Sequence, residues 1–405
     1  MTAATSRPIP SRHPARPRRV PPGITFVSRA LRLPEPTDAE FRRFGELLTV
    51  GDDPMDELVA WIYAQDTDTR KAMFNRALAE GIDSVPEAPP ILRDFFEEME
   101  TVPDWADWNA IRTGGQLMRS GGADGLAVAR DVALMGGYMF SGFNQTLLRT
   151  GALEKGSNRR FAETTQWALD VIGEDALRPG GVGYRSTLHV RFIHSLVRRH
   201  VIAMDDWDCA AYGLPINQTD MAATLVGALI APVATGTGLG MLANPREYEA
   251  AAHLTRYVGR LMGVHDDFLP HSFRDSLRIL FQTSRALSTP DETSRVLAQP
   301  MAEDPLQWHY PVLGGLRRRI ARSQHLSIST AYLGRHAMRK LGVPAVPPWY
   351  PALKIPINLI ESVIFQLPGG RRRGAELGDR RQARLMRTMI PDKAAIGHSA
   401  QHVAH

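Results

Sequence analysis

DMAATLVGALIAPVATGTGLGM, residues 220 to 241, decides the fold. Placed on a helix, its apolar residues fall on every side rather than on one stripe. A helix apolar all round belongs in the interior of a large helical protein. Pro232 is expected to kink it. DGLAVARDVALMGGYMFSGF, residues 124 to 143, has the same character: Leu126, Val128, Val132, Leu134, Met135, Tyr138 and Met139 cover most of its circumference. Small residues in both stretches let another helix, or a flat ligand, come close. TGTGLG is not a phosphate loop, because no strand precedes it and no lysine follows.

Helical periodicity runs outward from these two stretches over nearly the whole chain. Helices are expected at about 38–49, 54–66, 68–80, 89–99, 105–120, 124–149, 158–173, 184–203, 218–241, 245–262, 273–286, 313–322, 326–341 and 353–366. Asn244-Pro245-Arg246-Glu247 supplies a cap, a proline at the first helical position and a capping-box glutamate, and Gly263 closes that helix. No run alternates with strand period. The expected fold is therefore all-α, a multi-helix single-domain bundle.

The bulk numbers agree. The chain has 405 residues, 43% hydrophobic and 22% charged, with a formal net charge of +5. That is enough chain for a large core. Residues 1–23 combine five arginines and six prolines with no acid, and are expected to be a disordered basic tail. Residues 24–341 form the main domain. Residues 342–391 hold a proline-rich connector (GVPAVPPWYPA), the apolar helix LKIPINLIESVIFQLP and a basic segment; 392–405 are expected to be a second disordered tail. The apolar helix is expected to dock on the body, with peripheral membrane contact as the alternative. A single cysteine, Cys209, excludes an intramolecular disulfide and argues against a thiolate metal site. Arg18 and Arg19 lack the apolar run that a twin-arginine signal needs, and no stretch has the length of a membrane span. A cytoplasmic protein without a nucleic-acid partner is expected.

RSTLHVRFIHSLVRRH, residues 185 to 200, carries the candidate chemistry. On a helix, Thr187, Val190, His194, Val197 and Val201 share one stripe, on which only His194 ionises. Arg191 precedes it by one turn and Arg198 follows by one. A core histidine hydrogen-bonded to a neighbour is the plain reading. A metal ligand facing an apolar slot is the sharper one. Zinc needs at least three protein ligands, and none is spaced for it here. Haem needs one axial imidazole, an apolar slot and cations for its propionates. On the preceding helix, Arg160, Thr164 and Trp167 share a face.

Four blocks carry a resemblance: TLLRTGALEKGSNRRFAETTQWALDVI, GVGYRSTLHVRFIHSLVRRHV, YGLPINQTDMAATLVG and HLTRYVGRLMGVHDDFLP. In order and spacing they are similar to the catalytic domain of the latex clearing proteins (rubber oxygenases) and the MpaB-type oxygenases, over about residues 105–290. The resemblance implies a globin-like core with one haem b, whose iron is held by the V-R-x-x-H histidine, here His194. It implies that an arginine and a threonine four residues apart, here Arg160 and Thr164, serve haem retention and activity. Arg191 and Arg198 are the expected propionate partners by geometry. The implied activity is an O2-dependent oxygenase acting on a hydrophobic, isoprenoid-like alkene or lipid and giving carbonyl products.

The chain also departs from that pattern. Glu163 stands where rubber oxygenases carry a lysine that can occupy the open side of the iron, and Asn144 stands near the place of a catalytic glutamate. These departures keep a non-enzymatic haem or O2 sensor, or an apolar lipid binder, as the alternative.

Overall fold

The computed structural model describes residues 8–151, 157–287 and 289–390, without the side chains of Asn158 and Arg160. The expected tail 392–405 lies outside them. Among the described residues the fold is helical throughout, and the strand-like pairing recorded is an isolated bridge between Phe140 and Thr289. The all-α expectation holds.

Local chemistry sets the helix ends. Asn244 accepts from the Glu247 amide at 3.0 Å, and Glu247 accepts from the Asn244 amide at 2.9 Å, so the capping box opens the Pro245–Met262 helix. Gly263, at φ 76°, ends it in the left-handed conformation that glycine tolerates. Gln218–Gly238 is the interior helix that its composition demands, capped by Asn217. Pro232 sits within it without ending it. It is the one described helix long and apolar enough to cross a membrane, a test that core helices also pass. It packs on the Pro245–Met262 and Phe273–Leu287 helices and on the Gly122–Val128 region.

The stretch 124–149 is not one helix. It divides into Gly122–Val128, a π-helical segment Ala129–Leu134, Met135–Gly137 and Ser141–Arg149. The wide turn places Arg130 and Asp131 inside the protein, where charged groups find partners. Three longer helices fall outside the expected set: Pro22–Ala30, Glu292–Glu303 and Gly370–Met389. The last docks tightly on Trp108–Ser120. A β-carbon on Gly378 would lie 1.9 Å from the Arg119 carbonyl oxygen, and Arg119 grips Asp379 with two bonds of 2.9 and 2.5 Å. The basic C-terminal segment is thus part of the body.

The N-terminal expectation also needs correcting. Residues 1–7 lie outside the described part, but residues 8–23 are ordered. Arg12 donates to both oxygens of Asp220 at 3.2 and 2.6 Å. Ser11 and Arg12 pair their amides with the Ala210 and Ala211 carbonyls, and His13 lies against Phe41. Asp220 is buried at the start of the interior helix, and a buried carboxylate requires a cation. Prolines have little backbone freedom to lose, so holding this segment costs less than composition suggests.

Candidate functional site

The Val182–Ile202 helix lies at the centre of the largest apolar cluster, on the Asp53–Ile62, Ser157–Val171 and Pro245–Met262 helices. Its stripe appears as the spacing implies. Thr187 and Val201 are fully buried at the two ends, and Val190 and Val197 are partly accessible on either side of His194. Trp167 donates its indole N–H to the Thr187 hydroxyl at 3.2 Å and ties the preceding helix to this one.

His194 is deeply enclosed by protein, and only part of the residue keeps accessible surface. Its Nδ1 is buried without a hydrogen-bond partner. Burial pushes its pKa down to about 4; the Arg198 guanidinium adds to the shift and Asp52 opposes it. The imidazole is therefore neutral near neutral pH, the form that binds a metal. His189 is only partly buried, and burial again lowers its pKa; His200 is exposed.

The interior also holds space between other helices. A β-carbon added at Gly125, Gly137 or Gly227 would meet no atom within 4 Å. A mainly apolar cavity of about 100 Å³ opens beside Gly125, Ala168, Leu229, Pro232 and Phe365. His194 does not line it; the helix bearing Trp167 and Ala168 stands between.

Arg191 and Arg198 are committed elsewhere, which corrects their reading as propionate partners. Arg191 donates to both oxygens of Asp52 at 2.7 and 2.8 Å and to the Leu261 carbonyl at 3.3 Å. Its guanidinium also lies 5.2 Å from the Phe95 ring centre. Arg198 binds Asp56 and donates to the Pro215 and Ile216 carbonyls at 3.1 and 2.8 Å. Both arginines brace the histidine helix against the Asp53–Ile62 helix. Gly263 completes the first clasp: its β-carbon would lie 2.6 Å from Arg191 Nε and from Asp52 Oδ2. With its positive φ added, Gly263→Ala is expected to cost at least about 2 kcal/mol in urea unfolding. A loss under about 0.5 kcal/mol would show that the clasp yields freely.

The other candidates are dispersed. Thr164 is exposed, and the side chain of Arg160 lies outside the described part. Glu163 is largely buried and pairs with Arg159 at 3.5 Å. Asn144 is fully buried; its Nδ2 donates to the Tyr138 carbonyl and the Thr293 hydroxyl, and its Oδ1 has no partner. His265-Asp266-Asp267 is a polar turn, with His265 Nδ1 accepting from the Asp267 amide at 3.2 Å. His253 is structural, accepting from the Asp107 amide. Among the described residues no group of three or more His, Cys, Asp or Glu is placed to hold a metal ion.

One buried network was missed. Arg130 bonds Asp131 at 2.8 Å and the Met301 carbonyl, Asp131 bonds His325 Nδ1, and Asp304 accepts from Ser157 at 2.6 Å. The signal was visible: an Arg-Asp pair inside an otherwise apolar helix, with its partners unspecified.

Comparisons place these features. The family model described as ER-bound oxygenase mpaB/B'/Rubber oxygenase, catalytic domain, matches residues 122–356. A rubber oxygenase of Streptomyces sp. (strain K30) is 25% identical over 186 residues, 45% of this chain and 45% of that protein. The match thus spans less than half the length of that curated relative. The solved structure of latex clearing protein LCP in the closed state aligns with a TM-score of 0.63 at 19% identity, covering 82% of this chain and 91% of that one. That likeness establishes the all-helical fold. The family description names an ER-bound oxygenase, which implies membrane association and overturns the expectation of a purely cytoplasmic protein.

Proposed function

Since the chain belongs to the family of the ER-bound oxygenases mpaB/B' and the rubber oxygenases, matched through their catalytic domain, we propose that it is a haem b-dependent oxygenase using O2 on a hydrophobic, isoprenoid-like alkene. The observation that carries this reading is His194: a neutral imidazole deep in the protein, with a buried and unpartnered Nδ1. His194 fits the group as an axial imidazole, while Thr164 is exposed and Arg191 and Arg198 are held by Asp52 and Asp56. Haem, when bound, supplies the redox chemistry of O2 activation. His194 would hold it from one side. Arg160 and Thr164, carried over by the family motif, are proposed to retain it and to shape the opposite side.

The mainly apolar lining of the cavity beside Gly125 and Phe365 suits a nonpolar group. Asn144 carries an amide, so any proton acceptance that a carboxylate would provide there falls to another group. Asn144 and Glu163 also favour the second reading, a haem or O2 sensor or lipid binder. Steady O2 consumption with an isoprenoid alkene separates the two.

The test of the cofactor is direct. Protein expressed with haem precursor is expected to purify with an intense Soret band. A fully helical preparation that shows no such band, even after reconstitution with haemin, would refute the proposal.

A further inference from the structure

The Trp349–Phe365 helix is amphipathic in the wrong sense for a soluble protein. Its polar groups point inward and are consumed there. Asn358, 3% exposed, donates to the Leu239 carbonyl at 3.0 Å; Ser362, 5% exposed, donates to the Gly240 carbonyl at 3.0 Å. Lys354 pairs with Asp124 at 2.8 Å, and Glu361 takes two bonds from Arg381. The outward side is apolar: Leu353, Ile357, Ile360, Val363 and Ile364 are exposed, Ile360 by 64% and Val363 by 67%, and Leu367 just beyond the helix by 60%.

The strip continues on a second helix. Leu313, Leu316 and Ile320, all exposed, recur at three- and four-residue spacing at the start of Gly314–Lys340. Ser323 and Ser327 extend that stripe, and they are where the first helix docks: Ser323 Oγ accepts from the Trp349 indole, and Ser327 Oγ from the Tyr350 amide, both at 3.1 Å. Ile320 thus lies one turn before the serine that holds Trp349. Exposed arginines flank both, Arg317 and Arg319 at one end and Arg372 and Arg373 just past Leu367.

We propose that this face is a bilayer-docking surface: the Trp349–Phe365 helix lies in the plane of an anionic membrane, with its apolar side in the acyl region and the arginines among the headgroups. An exposed apolar strip of this extent marks an interaction surface. The basic flanks select the occupant. They complement anionic headgroups, whereas a two-fold contact between copies would bring like charges together. The helix packs along the body, so it lies on the membrane and does not cross it. Its inner side, through Asn358, Ser362 and Phe365, walls the apolar cavity. A nonpolar molecule would pass from bilayer to cavity around this helix without crossing bulk water.

The test is flotation of the full-length protein with vesicles of phosphatidylcholine, alone or mixed with phosphatidylglycerol. Strong flotation with the anionic vesicles and weaker flotation with neutral ones is expected. Ile360→Glu/Val363→Glu is expected to reduce binding at least about tenfold with unchanged circular dichroism. Arg372→Glu/Arg373→Glu is expected to remove the preference for anionic lipid. Should the first variant misfold, brominated lipid decides on the wild-type chain: it is expected to quench fluorescence that Trp349→Phe lacks. Failure to float with either vesicle overturns the proposal. So does a concentration-dependent dimer, measured by sedimentation, that Ile360→Glu/Val363→Glu breaks without any vesicle binding. Haem content is read separately, so this proposal and the cofactor reading fail independently.

Discussion

His194→Ala abolishes stable haem binding, whereas His189→Ala and His200→Ala keep the wild-type Soret position. That is the expected result, and it follows from direction and environment together. At 3.6 residues per turn, positions five before and six after His194 point well away from it. The surroundings differ in the same sense. His200 is exposed, and an exposed imidazole keeps its water. His189 is partly buried beside Lys71, whose charge helps lower its pKa. His194 alone of the three combines deep enclosure with a buried Nδ1 that has no partner. Its flanks Val190 and Val197 are apolar, as a porphyrin face requires. The substitution leaves the apolar stripe and the Arg191 and Arg198 ion pairs in place, so the helical fold is expected to persist and the apoprotein to keep its circular dichroism. Imidazole added to His194→Ala is expected to restore part of the Soret intensity by ligating loosely held haem. Haem retained by His194→Ala and lost with His189→Ala or His200→Ala would refute both the helical-face argument and the family carry-over.

What the chain reveals without a structure divides by distance along it. Local signals were legible. The 3.6-residue period gave the helices, and Asn244, Glu247 and Gly263 gave one helix both its ends. The stripe of His194 followed from spacing alone. Partners far apart were not legible. Arg191 and Arg198 sit one turn from His194, and geometry on the isolated helix offered them to a ligand. Their carboxylates, Asp52 and Asp56, lie 139 and 142 residues earlier, and nothing local names them. Arg12 is the same case: a proline-rich basic segment reads as disorder until Asp220, 208 residues away, claims its charge. The π-helical turn escaped for another reason. Hydrophobic periodicity continues through it, and only the buried Arg130–Asp131 pair marks where the backbone widens.

Asp52→Ala is expected to destabilise the fold by about 3–5 kcal/mol, the largest loss of any single substitution of a charged residue discussed above. A guanidinium does not escape burial by neutralising as an ammonium can. Without Asp52 that of Arg191 remains buried, with the Leu261 carbonyl and Met99 sulfur as its remaining hydrogen-bond partners. Arg191→Lys should also lose stability, because an ammonium cannot reproduce two parallel bonds to one carboxylate. Removing both charges as Asp52→Ala/Arg191→Leu should recover part of the loss, since no unpaired charge is then left inside. Arg76–Glu87 serves as the control: both side chains are well exposed, and Glu87→Ala should leave the unfolding midpoint nearly unchanged. Urea unfolding of the haem-free protein measures all of these. It also decides what Arg191 does. A structural clasp predicts that Arg191→Ala weakens the apoprotein before any cofactor is added. An Arg191→Ala apoprotein as stable as wild type, which then fails to retain haem, would return the guanidinium to the propionates and remove Asp52 from the account.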